Sequence, residues 1–268
     1  MATNQHQPLS PPSPLSIIGE GRTMLDISAM AVASARNLIT RSAPTNGRSV
    51  IMLPGFYSDD RYMKPLGAYL KKLGYHAEGW GLGLNLAGVN LGGTIDQLKE
   101  TWDVEPLKNE SGEASVPYLC DRATERIRDR SDELESPVTL IGWSLGGYIA
   151  REVARDLPDR VEQVITMGAP IIGGPKYTSA APFFKKRGMN LDYIESEIER
   201  RERRPIQQPI TAIFSKSDAV VSWQAAMDYH SPNVEHIDVN AAHLGMGFNQ
   251  KIWKIIKKSL ASFETVVA

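Results

Sequence analysis

A serine between two glycines is the first feature of this sequence that could do chemistry. Residues 141–148 read IGWSLGGY, in which Ser144 is the centre of a G-x-S-x-G pattern. Where a strand runs into this pattern and a helix leaves it, the serine lies on a sharp turn with its hydroxyl exposed as a nucleophile. Elsewhere the pattern arises by chance, and the serine is an ordinary turn or helix-cap residue. The flanking segments therefore decide between the two interpretations.

The residues on both sides of Ser144 favour the nucleophile. Val138 to Trp143 is an apolar run that predicts a buried strand, and Leu145 to Asp156 predicts a helix. The neighbouring glycines let the strand and helix backbones approach more closely than a Cβ would allow. The serine hydroxyl would then lie at a helix start, where free N–H groups carry partial positive charge.

A serine is a poor nucleophile without a base, and the five histidines are the candidates. In a strand–turn–helix site of this kind the chain order is serine, acid, histidine, so the histidines before Ser144 are unsuitable. His243 lies in NAAHLGMG, between the last predicted strand and the last predicted helix, and its imidazole would reach the sheet edge where Ser144 lies. The other four are interpreted as out of order, or as surface or core residues: His6, His76, His230 and His236.

The base needs a carboxylate to fix its tautomer and to stabilise the imidazolium. Asp218 follows the apolar run ITAIF in the loop SKSDAVVS, which places it at the same sheet edge. Two rivals remain: Asp228, which we expect on a solvated helix face, and Asp238, which lies within a predicted strand. We favour Asp218.

A tetrahedral intermediate needs donors for its oxyanion. One is expected to be the backbone N–H of Leu145, directly after the nucleophile. The other should come from the loop after the first strand, LPGFYSDD, where Phe56 follows Gly55. The alternative is that PGFY only turns the chain.

Strands and helices alternate along the chain, which predicts a parallel sheet with helices on both faces. The predicted strands are Ser49 to Leu53, Tyr75 to Trp80, Val138 to Trp143, Val161 to Met167, Ile210 to Phe214 and Val234 to Val239. The predicted helices are 22–41, Arg61 to Leu73, Pro117 to Leu134, Leu145 to Asp156, Leu191 to Arg204 and Phe248 to Phe263. The glycine-rich stretch GWGLGLNLAGVNLGG lacks the spacing of a phosphate loop and is interpreted as a loop of dense backbone.

Four segments, PGFY, GWSLGG, SKSD and AAHLG, together resemble the α/β-hydrolase superfamily, and most of all its bacterial esterase/lipase branch. The resemblance covers roughly residues 48–264 and implies a mostly parallel central sheet of about six or more strands, with helices on both faces and a small cap insertion. It implies Ser144, Asp218 and His243 as the catalytic triad, and no cofactor. Pro54-Gly55 stands where many members have His-Gly, and the usual two antiparallel leading strands are not evident before residue 48.

The domain organisation is expected to be simple. Residues 1–21, rich in Pro and Ser, predict a flexible arm, and 22–268 a single domain with 171–209 as a cap over the site. The cap helix has a narrow apolar stripe, Leu191, Ile194 and Ile198, and is otherwise strongly charged. A lid that opens at a lipid surface normally has a broader apolar face, so we expect an esterase for short or medium acyl chains.

Several alternatives remain open for substrate and function. They are a lipase for long-chain acylglycerols, a thioesterase, amidase or acyltransferase on the same triad, a binding protein without activity, and a membrane-associated deacylase anchored by the 22–41 helix. Five aromatic residues are candidates for the substrate pocket, with core or cap packing as the alternative: Tyr57, Trp143, Phe183, Phe184 and Trp223.

Composition excludes several classes of function. The net charge of −1 argues against nucleic-acid binding, and a single cysteine, Cys120, excludes an intrachain disulfide and a cysteine metal site. No segment has the length and apolarity of a membrane span or the pattern of a secretory signal, which predicts a cytoplasmic protein. The expected partner is a small-molecule or lipid ester substrate, without a metal.

Overall fold

Six parallel strands form the centre of the computed structural model, which describes residues 9–23, 47–88, 98–102 and 115–267. The strands are β1 (Ser49–Leu53), β2 (His76–Gly79), β3 (Val138–Trp143), β4 (Val161–Met167), β5 (Ile210–Phe214) and β6 (Val234–Asp238). Their order across the sheet is β2-β1-β3-β4-β5-β6. All neighbouring pairs are parallel.

Burial on both faces explains why the central strands are nearly continuous apolar runs. Every residue of β3 and β5 is buried, whereas the edge strand β6 is only half-buried. Alternate residues of β1 enter different cores: Ile51 packs on one face of the sheet and Met52 on the other. Helices therefore have to cover both faces.

The described residues include six α-helices, which are α1 (Asp60–Lys72), α2 (Ser115–Glu133), α3 (Leu145–Asp156), α4 (Ala181–Lys186), α5 (Leu191–Glu202) and α6 (Gln250–Val267). Of these, α4 and α5 belong to the cap, and the other four cover the sheet. The core on one face takes residues from α2 and α3, such as Leu119 and Ile149. The opposite core takes residues from α1 and α6, such as Leu66 and Ile256. The architecture is that of an α/β-hydrolase fold, as predicted.

The chain reverses its direction of travel across the sheet at β1. It passes from β1 outward to β2 and then returns to β3, on the other side of β1. Parallel sheets bind ligands at such a reversal, beyond the carboxyl ends of the strands. The loop after β1 and the turn after β3 meet there, and these segments carry Phe56 and Ser144.

Short helical segments occur where the sequence predicted none. In the predicted flexible arm, residues 1–21, Pro14–Arg22 forms a 3-10 helix, and residues 1–8 lie outside the described residues. The expected loop after β4 contains the 3-10 helix Gly174–Tyr177 and the short helix α4. Both segments are too short to show a helical period in the sequence. The predicted helix over 22–41 lies almost wholly outside the described residues.

Across the described ranges, no helix combines the length and the apolarity needed to cross a membrane.

Candidate active site

Ser144 lies on a strained turn between β3 and α3. Its φ of 53° and ψ of −127° fall in a region that residues with a side chain rarely occupy. The turn is fixed by hydrogen bonds: the Ser144 N–H donates to the Met167 carbonyl at 2.9 Å, and the Ser144 carbonyl accepts from Gly147 at 2.9 Å. The strained backbone is thus held on both sides.

The glycines around Ser144 are required by close backbone packing. A Cβ on Gly142 would lie 2.4 Å from the Gly147 Cα, and one on Gly146 would lie 2.2 Å from the Leu53 carbonyl oxygen. Contacts this short involve backbone, which cannot move aside. The predicted reason for the glycines therefore agrees with the packing.

Three polar side chains form a continuous hydrogen-bonded chain at this turn. The His243 Nε2 lies 3.0 Å from the Ser144 Oγ, and the His243 Nδ1 lies 2.7 Å from the Asp218 Oδ2. The other carboxylate oxygen, Oδ1, accepts from the Val220 and Val221 N–H groups, each at 2.8 Å. Both carboxylate oxygens are engaged, so the acid has a fixed orientation toward the imidazole.

Trp143 supports the histidine loop, the segment that carries His243 and Leu244, by binding its backbone. Its indole is buried and donates to the His243 carbonyl at 3.1 Å. The ring stacks on Tyr62, with ring centroids 3.8 Å apart. The Tyr62 hydroxyl in turn donates to the Leu244 carbonyl at 3.0 Å and accepts from Gly247 at 3.1 Å. Of the two interpretations that the sequence left open, core packing fits the structure.

The loop after β1 touches Ser144. A Cβ on Gly55 would lie 2.9 Å from the Ser144 Cβ, so the backbone passes directly over the serine. Phe56 follows and borders the same cavity as Ser144 and Leu145. Leu145 is the first residue of α3, and the first N–H groups of a helix have no carbonyl partner within it. The two segments expected to supply oxyanion donors therefore flank the Ser144 hydroxyl.

An apolar cavity of about 150 Å³ opens beside the Ser144 hydroxyl. The body of the protein forms one side of it, and the cap, including α4 and α5, forms the other. Residues on its wall include Tyr148, Phe184, Tyr193, Ile194, Ile198 and Val221. Glu197 also borders the cavity, but its carboxylate forms a salt bridge with Arg200. The cavity suits an apolar group attached to the reacting carbonyl.

The structure brings one of the five predicted aromatic residues to this cavity. Phe184 borders it. The neighbouring Phe183 is 49% exposed, and Tyr57 is 75% exposed. Trp223 instead stacks on Phe214, with ring centroids 5.8 Å apart. The pocket predictions for Tyr57, Trp143, Phe183 and Trp223 are therefore corrected: these side chains lie outside the cavity wall.

The rival acids and bases lie elsewhere. Asp228 is buried and pairs with Arg151, which corrects the prediction of a solvated helix face. Asp238 is half-exposed on β6. The His236 Nε2 accepts from the Asp228 N–H at 3.0 Å, and His230 and His76 are exposed. His6 lies outside the described residues.

Arg151 explains the acidity of Asp228. Burial alone would raise the pKa of this carboxyl group. The attraction of Arg151 and hydrogen bonds from Ser231 and His230 outweigh that effect and hold the Asp228 pKa at about 2. Asp228 is thus a buried anion within an ion pair.

A buried ionic network joins α5 of the cap to α3 of the body. Glu202 accepts from Arg151 and Arg155, each at 2.8 Å. Arg201 pairs with Glu152 and stacks on Trp102, 3.9 Å from the ring centroid. The sequence showed that the cap helix is strongly charged, but its pairing with α3 was not predicted. The opposite charges of IAREVARD on α3 were the available signal.

Gly168 is a further site residue that the sequence analysis did not single out. It follows β4 directly and has a φ of +55°. A Cβ there would lie 3.0 Å from the Asp218 Oδ2 and 3.1 Å from the His243 Nδ1. The signal available in the sequence was a glycine directly after β4, the strand next to β3, which leads to Ser144. Within the described ranges, no three His, Cys, Asp or Glu residues cluster as a metal site would require.

Comparison with known proteins agrees with this fold. A family model described as a thioesterase domain matches residues 97–181, about a third of the chain, including the Ser144 turn. No curated protein matches the sequence.

Solved structures share the architecture at low sequence identity. Alpha/beta hydrolase domain-containing protein 10 from mouse is 16% identical, with a TM-score of 0.52, over 85% of this chain and 94% of its own. A structure of the metagenome-derived lipolytic enzymes LipS and LipT is 18% identical, with a TM-score of 0.53, over 83% and 96%. The monoacylglycerol lipase of Paleococcus ferrophilus is 14% identical, with a TM-score of 0.52, over 83% and 96%. These similarities establish the α/β-hydrolase fold.

Proposed function

We propose that this protein is a serine hydrolase that cleaves carboxylic esters of short to medium acyl chain. The observation that carries the proposal is the chain of hydrogen bonds from Ser144 through His243 to Asp218, at 3.0 Å and 2.7 Å, beside an apolar cavity. A nucleophile, a base and an orienting acid in this geometry form a Ser-His-Asp triad.

The first half of the reaction would form an acyl-enzyme. The Ser144 Oγ attacks the ester carbonyl carbon while the His243 Nε2 takes the hydroxyl proton. Asp218 accepts the hydrogen bond from Nδ1–H and stabilises the imidazolium. The oxyanion accepts hydrogen bonds from the backbone N–H groups of Leu145 and Phe56. The carbon–oxygen bond to the alcohol then breaks, and His243 returns the proton to the leaving alcohol.

The second half would release the acid. His243 takes a proton from water, and the resulting hydroxide attacks the acyl carbonyl. The bond between the acyl carbon and the Ser144 Oγ breaks, and the imidazolium returns its proton to the serine. In this scheme His243 accepts or donates the proton in every proton transfer.

The cavity and the cap favour a short or medium acyl chain. The cavity wall is mostly apolar, and its volume of about 150 Å³ is small. The buried ion pairs between α5 and α3 hold the cap against the body, unlike a lid that swings open. Lipolytic activity in proteins of similar fold keeps a long-chain lipase as the alternative.

Thioester hydrolysis is a second candidate. The specific observation in its favour is the thioesterase-domain match, which spans the Ser144 turn and the helices and strands on either side of it. The same triad can attack a thioester carbonyl, with a thiol in place of the alcohol as leaving group. Faster release of free thiol from an acyl thioester than of alcohol from the matching oxyester would favour this assignment.

The test is a set of initial rates on p-nitrophenyl esters from acetate to palmitate. Ser144→Ala should lower kcat by about 10⁴ to 10⁶, as loss of a triad nucleophile does. Ser136→Ala, at an exposed serine remote from the site, is the matched control and should retain wild-type rates. A wild-type protein inactive on every oxyester and thioester, or an active Ser144→Ala variant, would overturn the proposal.

A further inference from the structure

We propose that Glu20 is a positioning residue that holds the loops of the acid and the base in register. This inference rests on the proposed function, because it assigns Glu20 a role in the Ser144–His243–Asp218 site. Glu20 lies on the 3-10 helix Pro14–Arg22, far from the other site residues in the sequence.

The Glu20 carboxylate accepts three hydrogen bonds from backbone N–H groups of the two loops. Oε1 accepts from His243 at 2.9 Å and from Ala219 at 3.3 Å. Oε2 accepts from Leu244 at 2.9 Å. Hydrogen bonds to an ionised acceptor are about twice as strong as neutral ones. One side chain therefore joins the residue after Asp218 to the backbone of His243.

The histidine loop depends on this distant acceptor for its N–H groups. His243 begins the 3-10 helix His243–Phe248, and the preceding residue, Ala242, provides no side-chain cap. A serine or aspartate at the cap would normally accept from such N–H groups. Here the Glu20 carboxylate, from a distant segment of the chain, accepts the hydrogen bonds of these N–H groups instead.

The opposite side of the same loop is held through its carbonyl groups. Trp143 donates to the His243 carbonyl, and Tyr62 donates to the Leu244 carbonyl. Trp143, at the end of β3, and Tyr62, on α1, thus bind the carbonyls, and Glu20 binds the N–H groups. Loss of either support would let the imidazole move relative to Asp218 and Ser144.

The acid loop has the same two-sided support. The Asp218 Oδ1 accepts from the N–H groups of Val220 and Val221. Glu20 accepts from the N–H group of Ala219, which lies between Asp218 and Val220 in the chain. The loop cannot slide without breaking one of these bonds. Glu20 therefore binds both the loop that carries Asp218 and the loop that carries His243, and so supports the 2.7 Å contact between these two side chains.

The experiment compares Glu20→Gln and Glu20→Ala with the wild type and with Ile18→Ala. Ile18 lies on the same 3-10 helix and is 78% exposed, so its variant controls for disturbance of that helix. Two rates are measured: ester turnover, and covalent labelling of Ser144 by a small fluorophosphonate. In the labelling step the Oγ–phosphorus bond forms, fluoride leaves, and the serine proton passes to His243.

We expect both Glu20 variants to lose roughly 10- to 100-fold in kcat and in labelling rate, the size of effect expected for misplaced catalytic groups. KM should stay within about twofold, because Glu20 does not border the substrate cavity. Ile18→Ala should match the wild type. A merely structural tether would lower the melting temperature and leave kcat unchanged at temperatures well below it.

Equal labelling rates in Glu20→Gln, Glu20→Ala and the wild type would overturn the inference. If Glu20→Ala does not fold, Glu20→Gln decides, since it keeps the shape of the side chain. Labelling does not depend on the choice of ester, so it separates the two proposals. A labelled wild type with unchanged Glu20 variants overturns only the role of Glu20, whereas a wild-type Ser144 that resists labelling overturns both.

Discussion

Gly168 marks how little space surrounds the Asp218–His243 pair. A Cβ added to Gly168 would lie 3.0 Å from the Asp218 Oδ2 and 3.1 Å from the His243 Nδ1, and the φ of +55° is unfavourable for any residue with a Cβ. A side chain here would press on both the Asp218 carboxylate and the His243 imidazole. A substitution at Gly168 should therefore lower both the stability of the protein and its activity, and a glycine with a positive φ elsewhere can serve to tell the two effects apart.

We predict that Gly168→Ala lowers kcat by roughly 10- to 100-fold, because it displaces the Asp218–His243 contact. The positive φ should also cost about 1 kcal/mol in the free energy of unfolding. Gly188→Ala is the matched control, since its φ is +84° and no atom lies within 4 Å of the added Cβ. Thermal melts and ester kinetics of both variants test this, and equal kcat values would contradict it.

The meeting of three side chains at one edge of the sheet was predictable from the sequence, because the topology constrains it. Ser144, Asp218 and His243 each follow a strand, and parallel strands bring their carboxyl ends to one edge. Asp228 was misplaced because nothing in its local sequence shows that Arg151, far away in the chain, neutralises it. Glu20 was missed for the same reason, since its partners lie more than 190 residues later.

At the scale of elements, the cap determines the shape of the cavity. Phe184 comes from α4, and Tyr193, Ile194 and Ile198 come from α5. Because α5 is fixed to α3 by buried ion pairs, its side chains form a stable wall. The size of these side chains should set the acyl length that fits.

We predict that Ile194→Phe shifts the preferred acyl chain to shorter esters. The larger ring would occupy part of the cavity, and kcat/KM for the longest accepted ester should fall by about 10-fold or more. Glu199→Phe, on the exposed side of the same helix, adds the same ring outside the cavity and should leave the profile unchanged. An unchanged profile for Ile194→Phe would show that α5 does not contact the acyl chain.

Elements were predictable where their pattern was long and uniform. The bounds of β3, β4, β5 and α3 agree with the sequence prediction, because each is an apolar or amphipathic run bounded by Gly, Pro or a charged turn. The short helix α4 was missed because six residues complete fewer than two turns. Its packing against the rest of the cap, rather than its sequence, defines it.

At the scale of the whole molecule, the same buried ionic network stabilises the protein and attaches the cap to the body. Arg151 pairs both with Asp228 and with Glu202 of α5, so protonation of Asp228 in acid affects this network. The Asp228 pKa is about 2, against an ordinary value of 3.8. A carboxyl group with a lowered folded-state pKa stabilises the fold above its unfolded pKa and loses that contribution as pH falls through the folded pKa. Asp228 should therefore stabilise the protein above about pH 4 and stop doing so near pH 2.

We predict that this group removes about 2 kcal/mol from the free energy of unfolding between pH 4 and pH 2. Asp228→Asn should be less stable at neutral pH, because Arg151 loses a partner, and should show a shallower acid slope. Asp238→Asn, at a half-exposed surface pair, is the control and should keep the wild-type slope. Denaturant unfolding at several pH values measures both quantities, and identical slopes for all three proteins would contradict the prediction.

The contact of Glu20 with Ala219, His243 and Leu244 has a consequence for the order of events during synthesis. The ribosome makes Glu20 at least 199 residues before its three partners. Contacts between such distant segments form late, after local helices and the central strands. The nascent protein should thus form the turn that carries Ser144 well before Glu20 fixes the position of His243. The reactivity of Ser144 should therefore appear last.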